Sequence, residues 1–247
     1  MKKKLNTRDL VVVAMLGAIT VVLGLTPLGF VPLGPLNATT MHIPVIVASI
    51  TQGPLIGGLV GLIFGLSSLW NAITRPTVIS FVFYNPLISI LPRVLLGIIP
   101  YYLYTNLRKI QGDKLKKLIS AFWIVIAAIL VFNIVSIQTS GVGKENLIPF
   151  IIFLLVSLVL MFLSLRARKN QEAVMISSFL STILHSGMVL GGIYLFFVDR
   201  YVEALEIPIQ AARGTIFGVI ITSGIPEGIL AVLVTTAVVS AVSKMNK

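Results

Sequence analysis

Residues 53–73 read GPLIGGLVGLIFGLSSLWNAI, without a charged side chain and with glycine at positions 53, 57, 61 and 65 and Gly58 beside them. Residues four apart share one face of a helix. The stretch therefore predicts a helix from about Pro54 to Ile73 with a bare face, along which a second backbone can approach closely. A helix apolar on every side is either the centre of a large core or a membrane span. The rest of the chain decides between these.

Further apolar runs lie on both sides of it. They cover about Leu10 to Phe30, Met41 to Thr51, Ser80 to Leu107, Leu118 to Gln138, Leu147 to Leu165, Ala173 to Val198 and Gly214 to Val242. Of the 247 residues, 57% are hydrophobic and 11% charged, where a soluble domain carries about a quarter charged. One crossing takes roughly 20 apolar residues, so the runs fill the chain and leave no space for a large soluble domain. The expected fold is an all-α polytopic membrane protein with eight spans. The run from Met41 is short and has Pro44 near its start, so it is expected to be tilted or partly non-helical. The opening MKKKLNTRDL leads directly into an apolar run with no small-residue cleavage site, which reads as a retained span and not a signal peptide.

The net charge is +11, and its distribution argues for orientation over nucleic-acid binding. An even number of crossings puts Lys2 to Lys4, Arg8, the basic residues between Arg108 and Lys117, Arg166, Arg168, Lys169, Lys244 and Lys247 on one side. The other side receives only Arg75, Lys144, Arg200 and Arg213. Basic residues near span ends accumulate in the cytoplasm, so both termini are expected there, in a multi-pass cell-membrane protein with some affinity for anionic lipid.

Much chemistry is excluded. The chain has no cysteine, two histidines and eight acidic residues, which rules out thiolate sites and leaves little for a metal cluster. Neither a phosphate-cradling GxxxxGK[ST] nor a G-x-S-x-G or H-E-x-x-H stretch is present. An enzyme is disfavoured, and no cofactor is expected.

Three ionisable residues fall inside spans: Arg93, His185 and Glu227. Counting inward at 1.5 Å per residue puts all three about 20 Å below the outer surface. A charge at such depth costs at least about 2.5 kcal/mol on insertion scales, so it should be paired or face a polar cavity. An Arg93–Glu227 pair is economical, either polarising the floor of a solute site or simply fixing helix order. His185 reads as a proton relay or as a hydrogen-bonded core residue.

A second polar group lies at the outer mouth. GPLNATTMH (residues 34–42) supplies Asn37, Thr39, Thr40 and His42; LWNAITRPT (residues 69–77) supplies Trp70, Asn71, Thr74 and Arg75; Tyr84 and Asn85 follow. An aromatic wall, amides and an arginine suit a small amphipathic carboxylate, although an interfacial Trp with a loop arginine is also ordinary in membrane proteins. Pro86, Pro92 and Pro100 interrupt the next run, and broken helices often surround a cavity. In AMLGA (residues 14–18), Ala14 and Ala18 lie one turn apart and form a small-residue face for a partner helix or for packing within the bundle.

Taken together, AMLGA, the block NATTMHIPVIVASITQGPLIGGLVGLIFGL (residues 37–66), FVFYNPLISILPRVLLG (residues 81–97), HSGMVLGGIYLFF (residues 185–197) and SGIPEGIL (residues 223–230) resemble the substrate-binding (S) components of energy-coupling factor vitamin transporters. The pantothenate-type component is the nearest match within that family. The resemblance implies a six-helix bundle that binds one vitamin near the outer surface. It implies docking on a transmembrane coupling subunit driven by two cytoplasmic ATPase subunits, with Ala14 and Ala18 facing that subunit. It brings forward Trp70, Asn71, Arg75 and Asn85 as ligand contacts, with Asn37, His42 and Tyr84 beside them. Pantothenate would set its carboxylate on Arg75 and its amide and hydroxyls on Asn71 and Asn85.

Residues 118–168 depart from the family pattern. They read as an inserted two-span hairpin, entered and left from the cytoplasm, between residues 1–117 (four spans) and 169–247 (the last two spans of the bundle). Riboflavin, folate, a thiamine precursor and cobalamin remain open as ligands. So do a stand-alone secondary transporter coupled to protons through Glu227 and His185, and a membrane structural protein.

Overall fold

The computed structural model describes residues 5–33, 36–110, 112–140, 147–167 and 169–245; the side chains of 28, 30–33, 36–38, 112, 113, 140 and 169 fall outside that description. Helix α1 (Thr7–Leu25) opens on a capping box, in which Asp9 N–H donates to the Asn6 side chain at 2.8 Å and Asn6 N–H donates to the Asp9 carboxylate at 3.2 Å. A two-stranded antiparallel hairpin follows, β1 (Phe30–Leu33) against β2 (Leu36–Thr39), with Phe30 opposite Thr39. Helix α2 (Ile43–Gln52) and helix α3 (Pro54–Thr74) are separated only by Gly53. Its φ of 101° lies where L side chains are strained, so the sharp reversal there requires a glycine.

The chain continues through a 3₁₀ turn (Ser80–Tyr84), α4 (Pro86–Ser89), α5 (Leu91–Leu107), α6 (Gly112–Ser140), α7 (Leu147–Leu165) and α8 (Lys169–Ala204). After α9 (Ala212–Val219), a five-residue π turn (Ile220–Gly224) leads into α10 (Ile225–Met245).

Two expectations change. Among the described residues seven helices, not eight, are long and apolar enough to cross a membrane, and α2 is too short at 10 residues. At 1.5 Å per residue it spans about 15 Å, half a hydrocarbon core. The chain is also not purely helical: the polar stretch before α2 forms the hairpin. Thr40 N–H donates to the Gly29 carbonyl at 2.9 Å, closing the hairpin on the end of α1. Hairpin and short helix together return the chain from the end of α1 to the start of α3. The alternation of helix direction is thereby kept.

The centre of the fold is the antiparallel pair α3–α5. A Cβ on Gly57 would run into the Gly97 carbonyl, and one on Gly61 into the Arg93 carbonyl; one on Gly65 would sit 2.8 Å from Ile90 Cα. The glycine face is a backbone-to-backbone seam, as its spacing requires. Helices α8 and α10 are likewise antiparallel, with Phe179 packed on Gly228 and Gln171 bonded to Ser240 at 3.2 Å. The pair α6–α7 packs differently, through large side chains: Trp123, Phe150 and Phe153 share a core with Phe179, Ile225 and Ile229. Gly17 meets Ile63, and Asn71 reaches Gly24, so α1 and α3 run parallel. Val12 and Val13 near the start of α1 share a core with Val239 near the end of α10, so these two helix ends lie at the same end of the bundle. Of the basic residues counted above, Lys2 to Lys4, Lys144, Arg168 and Lys247 lie outside the described residues.

Candidate functional site

Arg93 is fixed by the seam. Its main chain is pressed against Gly61, and its side chain is only 6% exposed. The guanidinium carbon stands 5.5 Å from the centre of the Phe64 ring and 5.4 Å from that of Phe83, and Nη1 donates to the Ile88 carbonyl. Two ring faces and one carbonyl stabilise a buried cation. Nε has no partner among the described residues.

Glu227 enters from the first turn of α10, directly after the π turn. Pro226 has no N–H to give to the preceding turn, so the helical ladder shifts register at this point. The shift places Ser223, Gly224 and Glu227 along one wall. The Glu227 carboxylate accepts from Thr39 N–H at 2.8 Å and from the Thr39 hydroxyl at 3.1 Å, both on Oε1. The end of the hairpin is thus tied to α10 across the bundle.

His185 comes from α8, its ring 6.1 Å from that of Phe64, and its Nε2 is unpaired among the described residues. His42, immediately before α2, is 1% exposed and lies beside the Glu227 main chain. Between these groups is a cavity of about 200 Å³, with Thr39, Arg93, His185, Ser186, Ser223 and Glu227 as polar lining and Val189, Leu190 and Val219 as apolar lining. Arg93, His185 and Glu227 therefore meet, as their common depth implies. No ion pair joins Arg93 to Glu227 among the described residues: each charge is held by a main-chain partner, Ile88 or Thr39, and the two face a shared space.

Of the outer-mouth residues, Thr39 lines this cavity and His42 lies beside Glu227, whereas Trp70, Asn71, Arg75, Tyr84 and Asn85 are not among its lining. Trp70 is 64% exposed, in a shallow groove with Val21, Ile63 and Leu66 between α1 and α3. Asn71 donates to the Gly24 carbonyl and Arg75 to the Leu25 carbonyl, each at 3.4 Å, tying the ends of α1 and α3 together. Tyr84 is 48% exposed, and the Asn85 side chain caps α4 by accepting from Leu87 N–H at 3.0 Å. Asn37 lies on β2, and its side chain is outside the described residues. Ala14 and Ala18 are exposed on the outward face of α1, whereas Gly17 is the small residue packed into the bundle.

Several lining residues escape the sequence reading. Thr39 sat in a recognised polar stretch, but nothing local links it to Glu227. Ser223 stands four residues before Glu227 and Ser186 follows His185, spacings that were readable once the acidic and basic residues were taken as a site. Phe64 and Phe83 are ordinary aromatic residues of apolar runs until the packing brings them to Arg93. Among the described residues, no group of three His, Asp or Glu side chains is placed to hold a metal ion.

A multi-pass membrane bundle around a small, half-open cavity with few charged groups is built for holding a solute. Residues 8–138 match the family described as ECF transporter, substrate-specific component, and with more than half of its length matched the chain belongs to that family. It is a substrate-binding transport component and not an enzyme. The match runs through most of α6, which the sequence reading set apart as the start of an insertion. Among curated relatives, the pantothenic acid transporter PanT of Lactococcus lactis subsp. cremoris is 32% identical over 136 residues, covering 49% of this chain and 67% of that protein. The pantothenate transporter PanT of Leuconostoc mesenteroides subsp. mesenteroides is 27% identical over 164 residues, covering 60% and 80%.

Proposed function

We propose that this chain is the pantothenate-binding S component of an energy-coupling factor importer, and that Arg93 receives the vitamin's carboxylate. The observation that carries the reading is the guanidinium of Arg93, buried between two phenyl rings, with an unpaired Nε and a place in the lining of the cavity. A buried carboxylate is held best by a guanidinium, and the Ser186, Ser223 and Thr39 hydroxyls supply partners for an amide and hydroxyls. A cavity of about 200 Å³, below the roughly 300–1,000 Å³ usual for drug-sized ligands, favours a compact vitamin over folate or cobalamin. Both relatives named above are pantothenate transporters, which supports the same cargo. Arg75, Asn71 and Asn85 then act at the rim, and His42 backs the cavity from beneath Glu227.

Transport is powered by separate subunits in this reading: a transmembrane coupling subunit and two ATPases. The exposed Ala14–Ala18 face of α1 docks on the coupling subunit through close helix packing. The chain sits in the cell membrane with both termini cytoplasmic in this reading, which the distribution of Lys and Arg along the sequence supports. Helices α6 and α7 belong to a hairpin added beside the vitamin-binding bundle and pack on α8 and α10.

Equilibrium binding of pantothenate to the purified chain, with other vitamins as competitors, tests the reading. Saturable binding displaced only by pantothenate is the expected result. Saturable binding of riboflavin or a thiamine precursor instead would reassign the cargo. His185 and Glu227 sharing one cavity is also what a proton-coupled carrier would need; uptake by this chain alone in vesicles under a pH gradient would replace the present reading with that one.

A further inference from the structure

The two opposite charges of the cavity are held apart. Arg93 is tethered to the Ile88 carbonyl of its own segment, and Glu227 to Thr39 at the end of the hairpin. Both bonds to Glu227 fall on Oε1; Oε2 accepts no hydrogen bond among the described residues, and the side chain lines the cavity. With its rotamer fixed at two points on Thr39, the carboxylate cannot swing away from a solute. A molecule lying in this space can meet both the Arg93 guanidinium and the Glu227 carboxyl group. Arg93 is the only permanent cation among the lining residues, so once it holds one anionic group only the His185 ring and the hydroxyls remain to meet a second.

Resting on the reading of this cavity as a vitamin site, we propose that Glu227 is its specificity-determining residue. Its fixed carboxylate accepts a hydrogen bond from a hydroxyl or amide of the solute and repels a phosphate in the same place. The cavity thereby takes a vitamin in its free form and rejects the phosphate ester of that vitamin. A hydroxyl donor on a carboxylate forms a charge-assisted bond, whereas like charges juxtaposed at short range oppose binding strongly. Selectivity comes as much from the repulsion as from the bond.

The test uses the full chain in lipid nanodiscs and measures binding of pantothenate, riboflavin and thiamine, each beside its phosphate ester. The chain should bind one free vitamin about 100-fold or more tighter than its ester, a gap set by like-charge repulsion at short range. Glu227→Gln keeps an acceptor for Thr39; it should retain the vitamin within about tenfold and narrow the gap to the ester by about tenfold or more. An unchanged gap in a variant that still binds the vitamin overturns the proposal, leaving size alone to exclude the ester. Should Glu227→Gln fail to fold, the unmodified chain decides with an analogue lacking the vitamin's terminal hydroxyl. A loss of about tenfold supports the proposal, and equal affinity overturns it. If a vitamin other than pantothenate binds and its ester is excluded through Glu227, the cargo assignment falls while this proposal stands. Binding of none of the compounds overturns both.

Discussion

Arg75 and Arg93 stand on neighbouring, antiparallel stretches of the bundle, and each donates to a main-chain carbonyl, yet their surroundings are opposites. Arg75 ends α3 at the rim, exposed, and reaches Leu25 over 3.4 Å, where water competes for both groups. Arg93 is 6% exposed, lies between two ring faces, and keeps its Nε without a partner. The rim arginine closes a helix end, and the deep one has binding capacity left over. The difference is made by the α3–α5 seam, which brings the Arg93 main chain against Gly61 and leaves its side chain nowhere to go but the cavity.

That seam is the most sensitive point of the comparison. Gly61→Leu would force a branched side chain into the Arg93 carbonyl, where the obstacle is backbone and cannot rotate away. Overpacking typically costs about 1–3 kcal/mol, and separating two helices along a shared seam exceeds this. The expected outcome is loss of the folded, monodisperse protein on size exclusion, with all vitamin binding gone. A folded variant with intact binding would show that the seam does not position the site.

Arg93→Met keeps much of the side chain's volume and removes its charge. Folding should survive, and a carboxylate ligand should bind about 100-fold more weakly or worse, since a buried charge deprived of its partner loses about 3–5 kcal/mol. Thermal unfolding read beside isothermal titration separates the two effects. Thr39→Val retains the backbone bond to Glu227 and deletes the hydroxyl bond of 3.1 Å. One hydrogen bond to a charged group contributes roughly 1.5–3 kcal/mol, part of which the intact N–H recovers, so affinity should fall by about tenfold. At the rim, Arg75→Ala should change affinity by no more than about threefold, the usual range of an exposed charged contact. A larger loss there would move the carboxylate site outward, to the position first read from Arg75, Asn71 and Asn85.

How far the sequence carried these conclusions depends on the kind of signal. Glycines at a spacing of four encode a backbone contact directly, because only the absence of a Cβ allows it, and α3 was legible for that reason. The buried charges were legible through their cost: each was expected to be paired or to face a polar cavity, and Arg93, His185 and Glu227 line one cavity. What hid was the nature of their partnership. Pairing Arg93 with Glu227 was the economical guess, but the hairpin brings Thr39 to Glu227 first, and a strand at residues 36–39 inside a helical membrane protein has no local signature strong enough to announce it. The same hairpin explains the miscounted span, since it takes half of the crossing assigned to the run at Met41. The rim residues carry a less specific signal. Tryptophan, asparagine and arginine at a span end have interfacial and capping uses, and here Asn71, Arg75 and Asn85 each make one hydrogen bond to a helix end, while Asn71 Oδ1 has no partner among the described residues.

The smallest expected effect on binding belongs to the face most distant in kind from the cavity. Ala14 and Ala18 are exposed on α1 while Gly17, between them, points into the bundle against Ile63. The small residues that the fold itself needs are therefore the glycines, and the two alanines are free of internal packing duties. Ala14→Trp or Ala18→Trp should leave vitamin affinity and thermal stability unchanged, because the added rings extend away from the bundle. If this face meets a coupling helix, each ring would hold the two backbones apart and uptake in cells carrying the coupling subunit and ATPases should fall to background. Uptake that survives both substitutions would move docking to another face. Loss of binding together with uptake would mean that α1 packs more tightly than its exposure indicates.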